Sequence, residues 1–395
     1  MASSPGARLR RNVPARGTAV NAPLSPSHTQ PERRRVFSLA IELTAVCNQK
    51  CDYCYNEWRD DGGRGIAVGD TGILIARVSK LLDAWELDHV TLTGGEPLAH
   101  RGVFSLLDLL RERGVGVQMI SNGGLVTDTL AARLAEYCLR FVQVTLNGAD
   151  RELHEAHVGE GHFDRTLRGV AALSRHGVPM VGCVVVTRRN AAQVGKILEL
   201  WASFGVRHIA LSRFSPAGYA ASFVASLLPS RSDMVIAFEQ ALPFARERGM
   251  EISCTMPIPP CVMDLERYAP IRFGGCAIGG PSQEFALAPD GRLRNCTLHK
   301  TALGGVSDIL DPGVDVRALL DAPEVIEYRR RVPDFCRGCT HELTCAGGCG
   351  AAAEWVLGDA RAHVDPFVAQ YVDQNFESQL AAARSNGRRR LEVIL

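Results

Sequence analysis

The chain has 395 residues, 46% of them hydrophobic and 22% charged, which is the balance of a soluble globular protein with room for two or three domains. Its 44 basic and 43 acidic residues leave a net charge of +1, so no global field favours nucleic acid or an anionic membrane surface as a partner. No segment reaches the ~18 uninterrupted apolar residues of a membrane span, and the N-terminus lacks the apolar stretch of a secretory signal. The expected location is the cytoplasm, where thirteen cysteines read as metal ligands before they read as disulfides.

In chain order, residues 1–35 carry seven arginines, one glutamate and five prolines, too proline-broken for an amphipathic targeting helix, and are expected to form a disordered basic tail. From Val36 to Phe214, short β-branched runs alternate with helical periodicity, the signature of βα units building a parallel sheet. Strands are predicted at Phe37–Leu43, His89–Thr93, Gly116–Ile120, Phe141–Leu146, Met180–Val186 and His208–Leu211. Helices are predicted at Gly72–Trp85, Phe104–Arg113, Thr129–Cys138, Phe163–His176 and Val194–Phe204, each with apolar residues three and four apart. Six units are fewer than the eight that close a full barrel, so the expected fold is α/β, a partial (β/α)6 TIM-like barrel over residues 36–225. A connecting segment follows over 226–260 with a helix at Asp233–Arg248, then a small cysteine-rich α+β domain over 261–370 and a helical tail over 371–395.

The chemistry is signalled by Cys47, Cys51 and Cys54, spaced C-x3-C-x2-C directly after the first predicted strand. Three soft thiolates on one short loop can hold three corners of an iron-sulfur cube and leave the fourth iron open. A zinc site would want a fourth ligand close by, yet no Cys or His lies between Cys54 and His89. The turns Thr93-Gly-Gly-Glu96-Pro97, Ser121-Asn122-Gly123 and Thr145-Leu146-Asn147-Gly148 each follow a predicted strand, so all should converge on the C-terminal rim where βα folds place function.

This loop, with Tyr53 at its aromatic position, resembles the CxxxCxΦC loop of the radical S-adenosylmethionine (radical SAM) enzymes. The resemblance implies a [4Fe-4S] cluster on Cys47, Cys51 and Cys54. It also implies SAM bound by the Gly94, Gly95, Glu96, Pro97 turn, by Ser121 and Asn122, by Thr145 and Asn147, and beside Tyr53. Relatives often carry an Arg-Gly on the loop after the fourth strand, where this chain has His157-Val158-Gly159, so the partner of the SAM carboxylate stays unassigned.

A second array comprises Cys276, Gly291, Cys296, Cys336, Cys339, Cys345 and Cys349. Its spacing resembles the SPASM extension of radical SAM enzymes, except that Val368 stands where a last cysteine is usual. The resemblance implies one or two auxiliary [4Fe-4S] clusters, the first on Cys276, Cys296 and Cys349 and the second on Cys336, Cys339 and Cys345. For the missing corner, Cys254, Cys261, His341, His363 and Asp365 are nearest in sequence; the corner could also stay open to substrate, or one cluster be absent. The bland alternative is one zinc on Cys336, Cys339, Cys345 and Cys349. Cys138 and Cys183 read as small buried side chains.

In such enzymes a 5'-deoxyadenosyl radical abstracts hydrogen from the substrate. Many SPASM relatives act on a ribosomally made peptide, introducing a crosslink, thioether or epimerised centre, and the expected function is an oxidoreductase of that kind. The alternatives are a small-metabolite substrate (sugar, amino-acid derivative or tetrapyrrole) and a non-catalytic iron-sulfur electron carrier. Sulfatase-maturing relatives place an Asp after the cysteine matching Cys296, where this chain has Thr297. Expected partners are a precursor peptide or small-molecule substrate and an external one-electron donor of flavodoxin or ferredoxin type. The tail before Val36 is too short and too disordered for a fused leader-binding domain, so a peptide substrate is expected either to use a separate leader-peptide recognition protein or to dock directly. No residue is assigned as a catalytic acid or base.

Overall fold

The computed structural model of the chain describes residues 33–59, 69–359, 361–373, 375, 376 and 378. The strands are β1 (Arg34–Glu42), β2 (Trp85–Thr93), β3 (Gly116–Ser121), β4 (Phe141–Thr145), β5 (Met180–Val186), β6 (His208–Arg213), β7 (Glu251–Cys254), β8 (Arg272–Phe273), β9 (Glu284–Leu287) and β10 (Leu293–Arg294). They form one sheet in the order β10-β9-β1-β2-β3-β4-β5-β6-β7-β8, parallel throughout except where β10 pairs antiparallel with β9. The helices of the first half are α1 (Thr71–Ala84), α2 (Val103–Glu112), α3 (Asp128–Ala135), α4 (Arg151–Val158), α5 (Phe163–Arg175), α6 (Val194–Ser203), α7 (Val224–Leu227) and α8 (Arg231–Glu247). Four short ones follow: α9 (Pro323–Arg329), α10 (Glu342–Cys345), α11 (Gly350–Leu357) and α12 (Pro366–Val372).

The six expected strands are the centre of this sheet. The β1 residues Ser38–Glu42 are all buried, as a parallel strand covered on both faces requires, and Leu39, Ile41, Val90 and Leu92 meet Leu81, Leu106 and Leu107 in the core. Helix starts are held by side chains: Asp70 accepts from Gly72 N at 2.6 Å, Thr127 from Leu130 N at 3.2 Å, Asp150 from Leu153 N at 2.9 Å, and Ser230 with Asp233 closes a capping box on α8.

Four features depart from the sequence expectation. Trp85–Asp88 belong to β2, because Trp85 is fully buried and bonds the Val316 carbonyl at 3.2 Å instead of extending α1. Helix α4 was not expected at all; its polar surface gives little apolar period, and it is fastened by its Asp150 cap and two buried histidines, His154 and His157. Cys138 lies past the end of α3 in a left-handed conformation and is exposed. The sheet also runs beyond six strands at both edges: β7 comes from the connecting segment, and β9 pairs Ser38–Ile41 with Glu284–Leu287, so the cysteine-rich region is stitched into the barrel sheet. Cys183 is buried on β5 as expected. Arg34 and Arg35, assigned to the basic tail, begin β1; the rest of that tail, residues 1–32, and most of the C-terminal helical tail, from residue 379 on, lie outside the described residues.

Candidate functional site

Register brings the strand ends level. Glu42 pairs with Thr93, Ser121 with Val144, Thr145 with Cys183, and Val186 with Arg213, so the cysteine loop and the three polar turns leave the sheet at one rim. The cysteine loop is then docked on all sides by backbone bonds. Gly95 N donates to Thr44 O at 2.6 Å and Glu96 N to Val46 O at 2.9 Å, while Lys50 N and Asp52 N donate to Val158 O and His157 O at 3.1 and 3.0 Å. Ala220 N closes the far side on Cys54 O at 2.9 Å. This approach requires Gly95: a Cβ there would stand 2.1 Å from Val46 O.

Glu96 sits at the centre with no solvent exposure. Its carboxylate accepts from Ser121 Oγ at 2.8 Å, Asn122 N at 2.8 Å and Leu98 N at 3.2 Å, so it joins the Gly94–Pro97 turn to the Ser121–Gly123 turn with this chain's own donors. Asn122 continues the connection, with Nδ2 donating to Asn48 Oδ1 at 2.8 Å and to Cys47 Sγ at 3.7 Å. Gln49 N reaches the same sulfur at 3.4 Å. N–H groups aimed at sulfur favour a thiolate. Asn48 escaped the sequence reading because nothing in the motif marks a partner 74 positions away.

Burial alone opposes ionisation of the three thiols. It pushes Cys47 up to about 11, with Glu96 and Cys54 adding to it, and it pushes Cys51 well up, with Cys54 and Cys47 adding. Cys54 is likewise raised by burial. Such thiols stay protonated in water and ionise when a bound cation takes the sulfur and displaces the proton to solvent. Burial also raises Tyr53 well above the phenol range, and the Cys51 thiol next to it adds to the effect. Thr145 lies beside Cys183 in register.

Asn147 is fully buried; its Oδ1 accepts from Val185 N at 2.8 Å, while its Nδ2 has no protein partner, a donor left over for a ligand. His157, which stands where relatives carry an Arg-Gly, uses both ring nitrogens on Leu153 O at 2.8 Å and Thr187 Oγ1 at 2.9 Å.

The C-terminal cysteines divide into two groups. Cys276, Cys296 and Cys349 form one group: Cys276 Sγ is 3.8 Å from Tyr328 OH, burial raises the Tyr328 phenol with all three sulfurs adding to it, and burial raises both Cys296 and Cys349, each also feeling Cys276. Ser215 Oγ at the β6 end donates to Cys349 Sγ at 3.6 Å, tying this group to the barrel rim. Tyr328 had no sequence signal, being 52 positions from Cys276. Cys336, Cys339 and Cys345 line a separate cavity of about 200 Å³. A single zinc on Cys336, Cys339, Cys345 and Cys349 does not match this division.

Among the described residues, no three His, Cys, Asp or Glu side chains close on a point as ligands of one ion do. A tetrahedral zinc with ~2.3 Å bonds holds its thiolates only ~3.8 Å apart, whereas thiolates on separate irons of a cube stand farther apart. Grouped thiols, most of them buried or half-buried, with sulfur-directed N–H donors and an orphaned amide are a donor set that fits iron-sulfur cubes and a polar cofactor.

A Radical SAM superfamily model matches residues 41–200. A probable GTP 3',8-cyclase of Saccharolobus islandicus (strain L.S.2.15 / Lassen #1) is 30% identical over 314 residues, covering 76% of this chain and 97% of that protein. Mycofactocin maturase MftC of Mycobacterium tuberculosis (strain ATCC 25618 / H37Rv) is 28% identical over 327 residues, 80% of this chain and 78% of that one. In fold, the chain is similar to native anSMEcpe with bound AdoMet and Cp18Cys peptide, at TM-score 0.63 and 19% identity over 88% of this chain and 99% of the other. It is also similar to Streptococcus suis SuiB bound to precursor peptide SuiA, at TM-score 0.62 and 16% identity over 83% and 75%. The chain belongs to the radical SAM superfamily. Membership implies a [4Fe-4S] cluster and S-adenosylmethionine as its cofactors. No helix among the described residues is long and apolar enough to cross a membrane.

Proposed function

We propose that the chain is a radical SAM peptide maturase, an oxidoreductase with a SAM-binding core over residues 36–225, a connecting segment over 226–260 and a SPASM domain over 261–370. Cys47, Cys51 and Cys54 hold the SAM-gripping cluster, and Cys276, Cys296, Cys336, Cys339, Cys345 and Cys349 hold two auxiliary clusters. The observation that carries this reading is the docking of the cysteine loop onto the Gly94–Pro97 and Ser121–Gly123 turns at one rim of a parallel sheet.

When bound, the cluster on Cys47, Cys51 and Cys54 with SAM would supply radical chemistry for hydrogen abstraction, and clusters on the C-terminal cysteines would supply one-electron redox capacity for outcomes that are net oxidations. The protein's part is placement. Gln49 N and Asn122 Nδ2 stabilise the Cys47 thiolate, Glu96 keeps the Asn122 turn in reach of it, and Asn147 Nδ2 offers a donor to SAM. Thr145, Ser121, Tyr53 and the backbone of Gly94, Gly95 and Pro97 complete the surroundings of SAM.

A peptide substrate is supported by the relatives named as a maturase or solved with peptides. It is also supported by charge. At the rim Arg213 pairs with Asp365, Arg292 with Glu57 and Asp290, and Arg294 with Glu42, so these cations are neutralised by the chain and not arrayed for a triphosphate. A peptide would be crosslinked, given a thioether or epimerised, with electrons from a flavodoxin- or ferredoxin-type donor and leader binding by a separate recognition protein. The second reading is a small-metabolite enzyme, favoured by the relatives named as GTP 3',8-cyclases.

Anaerobically reconstituted protein with SAM and dithionite is expected to release 5'-deoxyadenosine and methionine. Changing Cys47, Cys51 and Cys54 together to Ala should abolish that release and leave auxiliary iron bound; cleavage surviving the change refutes the site. A precursor peptide encoded beside the gene should be converted, whereas consumption of GTP would overturn the peptide reading.

A further inference from the structure

We infer that Cys261 is the fourth ligand of the second auxiliary cluster and stands in for the cysteine that Val368 replaces. The inference rests on reading the C-terminal thiols as cluster sites. The cavity of about 200 Å³ is lined by Cys261, Cys336, Cys339, Cys345, Gly347 and Val368, among others, so the position where relatives carry their last cysteine does face it, and a thiol from elsewhere in the chain faces it too. Four cysteines around one cavity match the four corners of a cube.

Local structure holds Cys261 there. Val262 N and Met263 N both bond Pro259 O, at 2.9 and 3.4 Å, winding residues 259–263 into a tight turn. That turn packs against the glycine-rich loop: a Cβ on Gly348 would stand 3.1 Å from Pro259 Cγ. Gly347, in a left-handed conformation, leaves room beside the cavity, since its Cβ would meet Cys336 Sγ at 3.3 Å. Electrostatics agree, for Cys336 feels Cys345, Cys261 and Cys339, and Cys261 feels Cys345 and Cys339.

The competitors are spent or elsewhere. Asp365 gives Oδ2 to Arg213 Nη2 at 2.5 Å and to Cys349 N at 2.9 Å, and Oδ1 to Phe367 N at 2.9 Å. Cys254 is fully buried on β7 and donates to Met256 O at 3.4 Å. His363 is not among the residues lining the cavity. His341 lines it and is the rival that the experiment must separate. With four thiolates no iron of this cluster is left for a substrate, and Cys261 and Cys339 are both exposed, which suits electron exchange with an external protein.

The test uses the full chain with Cys47, Cys51 and Cys54 changed to Ala, so that only auxiliary iron is counted. After anaerobic reconstitution, adding Cys261→Ala should lower iron and sulfide per chain and alter the Mössbauer spectrum. His341→Ala should change neither, and Cys261→Ala with Val368→Cys should restore both. Independently of any variant, iodoacetamide should modify Cys261 in cluster-free native chain and spare it after reconstitution. Unchanged iron and spectrum in Cys261→Ala, loss in His341→Ala instead, or equal alkylation in both states would each overturn the assignment. A background chain that binds no iron at all would remove the auxiliary clusters themselves, and the assignment with them.

Discussion

Replacing Glu96 separates a strut from a ligand. Its fully buried carboxylate accepts three hydrogen bonds from the chain, two of them at 2.8 Å. In Glu96→Ala the Ser121 hydroxyl and the Asn122 amide lose their acceptor, and a buried orphaned group costs about 1–3 kcal/mol. Ser121 is buried and takes the full cost, whereas Asn122 N and Leu98 N sit on half-buried residues and can turn in part to water. The loss of stability is therefore about 2–4 kcal/mol. Glu96→Gln keeps an acceptor for Ser121 and Leu98 and turns an NH2 towards Asn122 N, a single charged bond exchanged for a clash of donors, at about 2 kcal/mol. Because Asn122 Nδ2 also touches Cys47 Sγ and Asn48, the damage should reach the cluster loop, with iron per chain falling in the same order, Ala below Gln. Urea unfolding midpoints read the first effect and iron analysis the second. A Glu96→Ala midpoint within about 1 kcal/mol of the parent would refute the strut, since it would leave less than one orphaned group's cost. Full stability of Glu96→Gln together with lost SAM binding would make Glu96 a direct SAM ligand.

Gly95→Ala drives a Cβ against Val46 O and should break the two bonds that hold the loop, Gly95 N to Thr44 O and Glu96 N to Val46 O. At about 1 kcal/mol each, the docked loop should fall roughly thirtyfold, lowering deoxyadenosine release while auxiliary iron is retained. Asp365→Ala strands Arg213, whose side chain has no solvent exposure, and removes the α12 cap; a loss of about 3–5 kcal/mol in unfolding free energy is expected, and a loss below 1 kcal/mol would contradict the buried pair. The Arg77–Asp308 contact fastens α1 to the segment after β10, and Arg77 also bonds Pro289 O and Asp290 O, between β9 and β10, at 2.7 Å. Burial raises the Asp308 carboxyl and is the largest single influence, but the Arg77 hydrogen bond, the Leu310 N–H and the charges of Arg77 and Lys80 together outweigh it, so the net shift is downward. A lowered folded value means the unfolded chain binds more protons, so this contribution is complete above the unfolded value of about 4 and is lost as pH falls through the folded one. The parent should exceed Asp308→Asn by about 2 kcal/mol at pH 7, with the difference closing below about pH 4; a gap that does not change with pH would contradict the assignment.

Much of the site is legible because its parts are short and each follows a strand. A parallel strand announces itself by a buried run such as Ser38–Glu42, and a polar turn after it must lie at the C-terminal rim whatever the details of packing. The strands that escaped, β7 to β10, are two to four residues long, too short to carry a period, and exist by pairing with edges that other segments provide. Helix α4 escaped for a related reason, since buried histidines and a cap hold it in place of an apolar stripe.

Spacing along the chain was enough to group Cys47, Cys51 and Cys54, because ligands on one loop cannot separate far. It was also enough to count the C-terminal thiols and to notice that Val368 interrupts their pattern. It could not say that Tyr328 stands beside Cys276, that Glu96 is spent on Ser121 and Asn122, or that Cys261 opens onto the cavity of Cys336, Cys339 and Cys345. Those are relations between segments some 25 to 85 positions apart. The Glu96 contacts are decided by the parallel pairing of β2 with β3, and the place of Cys261 by the packing of the 259–263 turn on the glycine-rich loop, which only the folded chain determines.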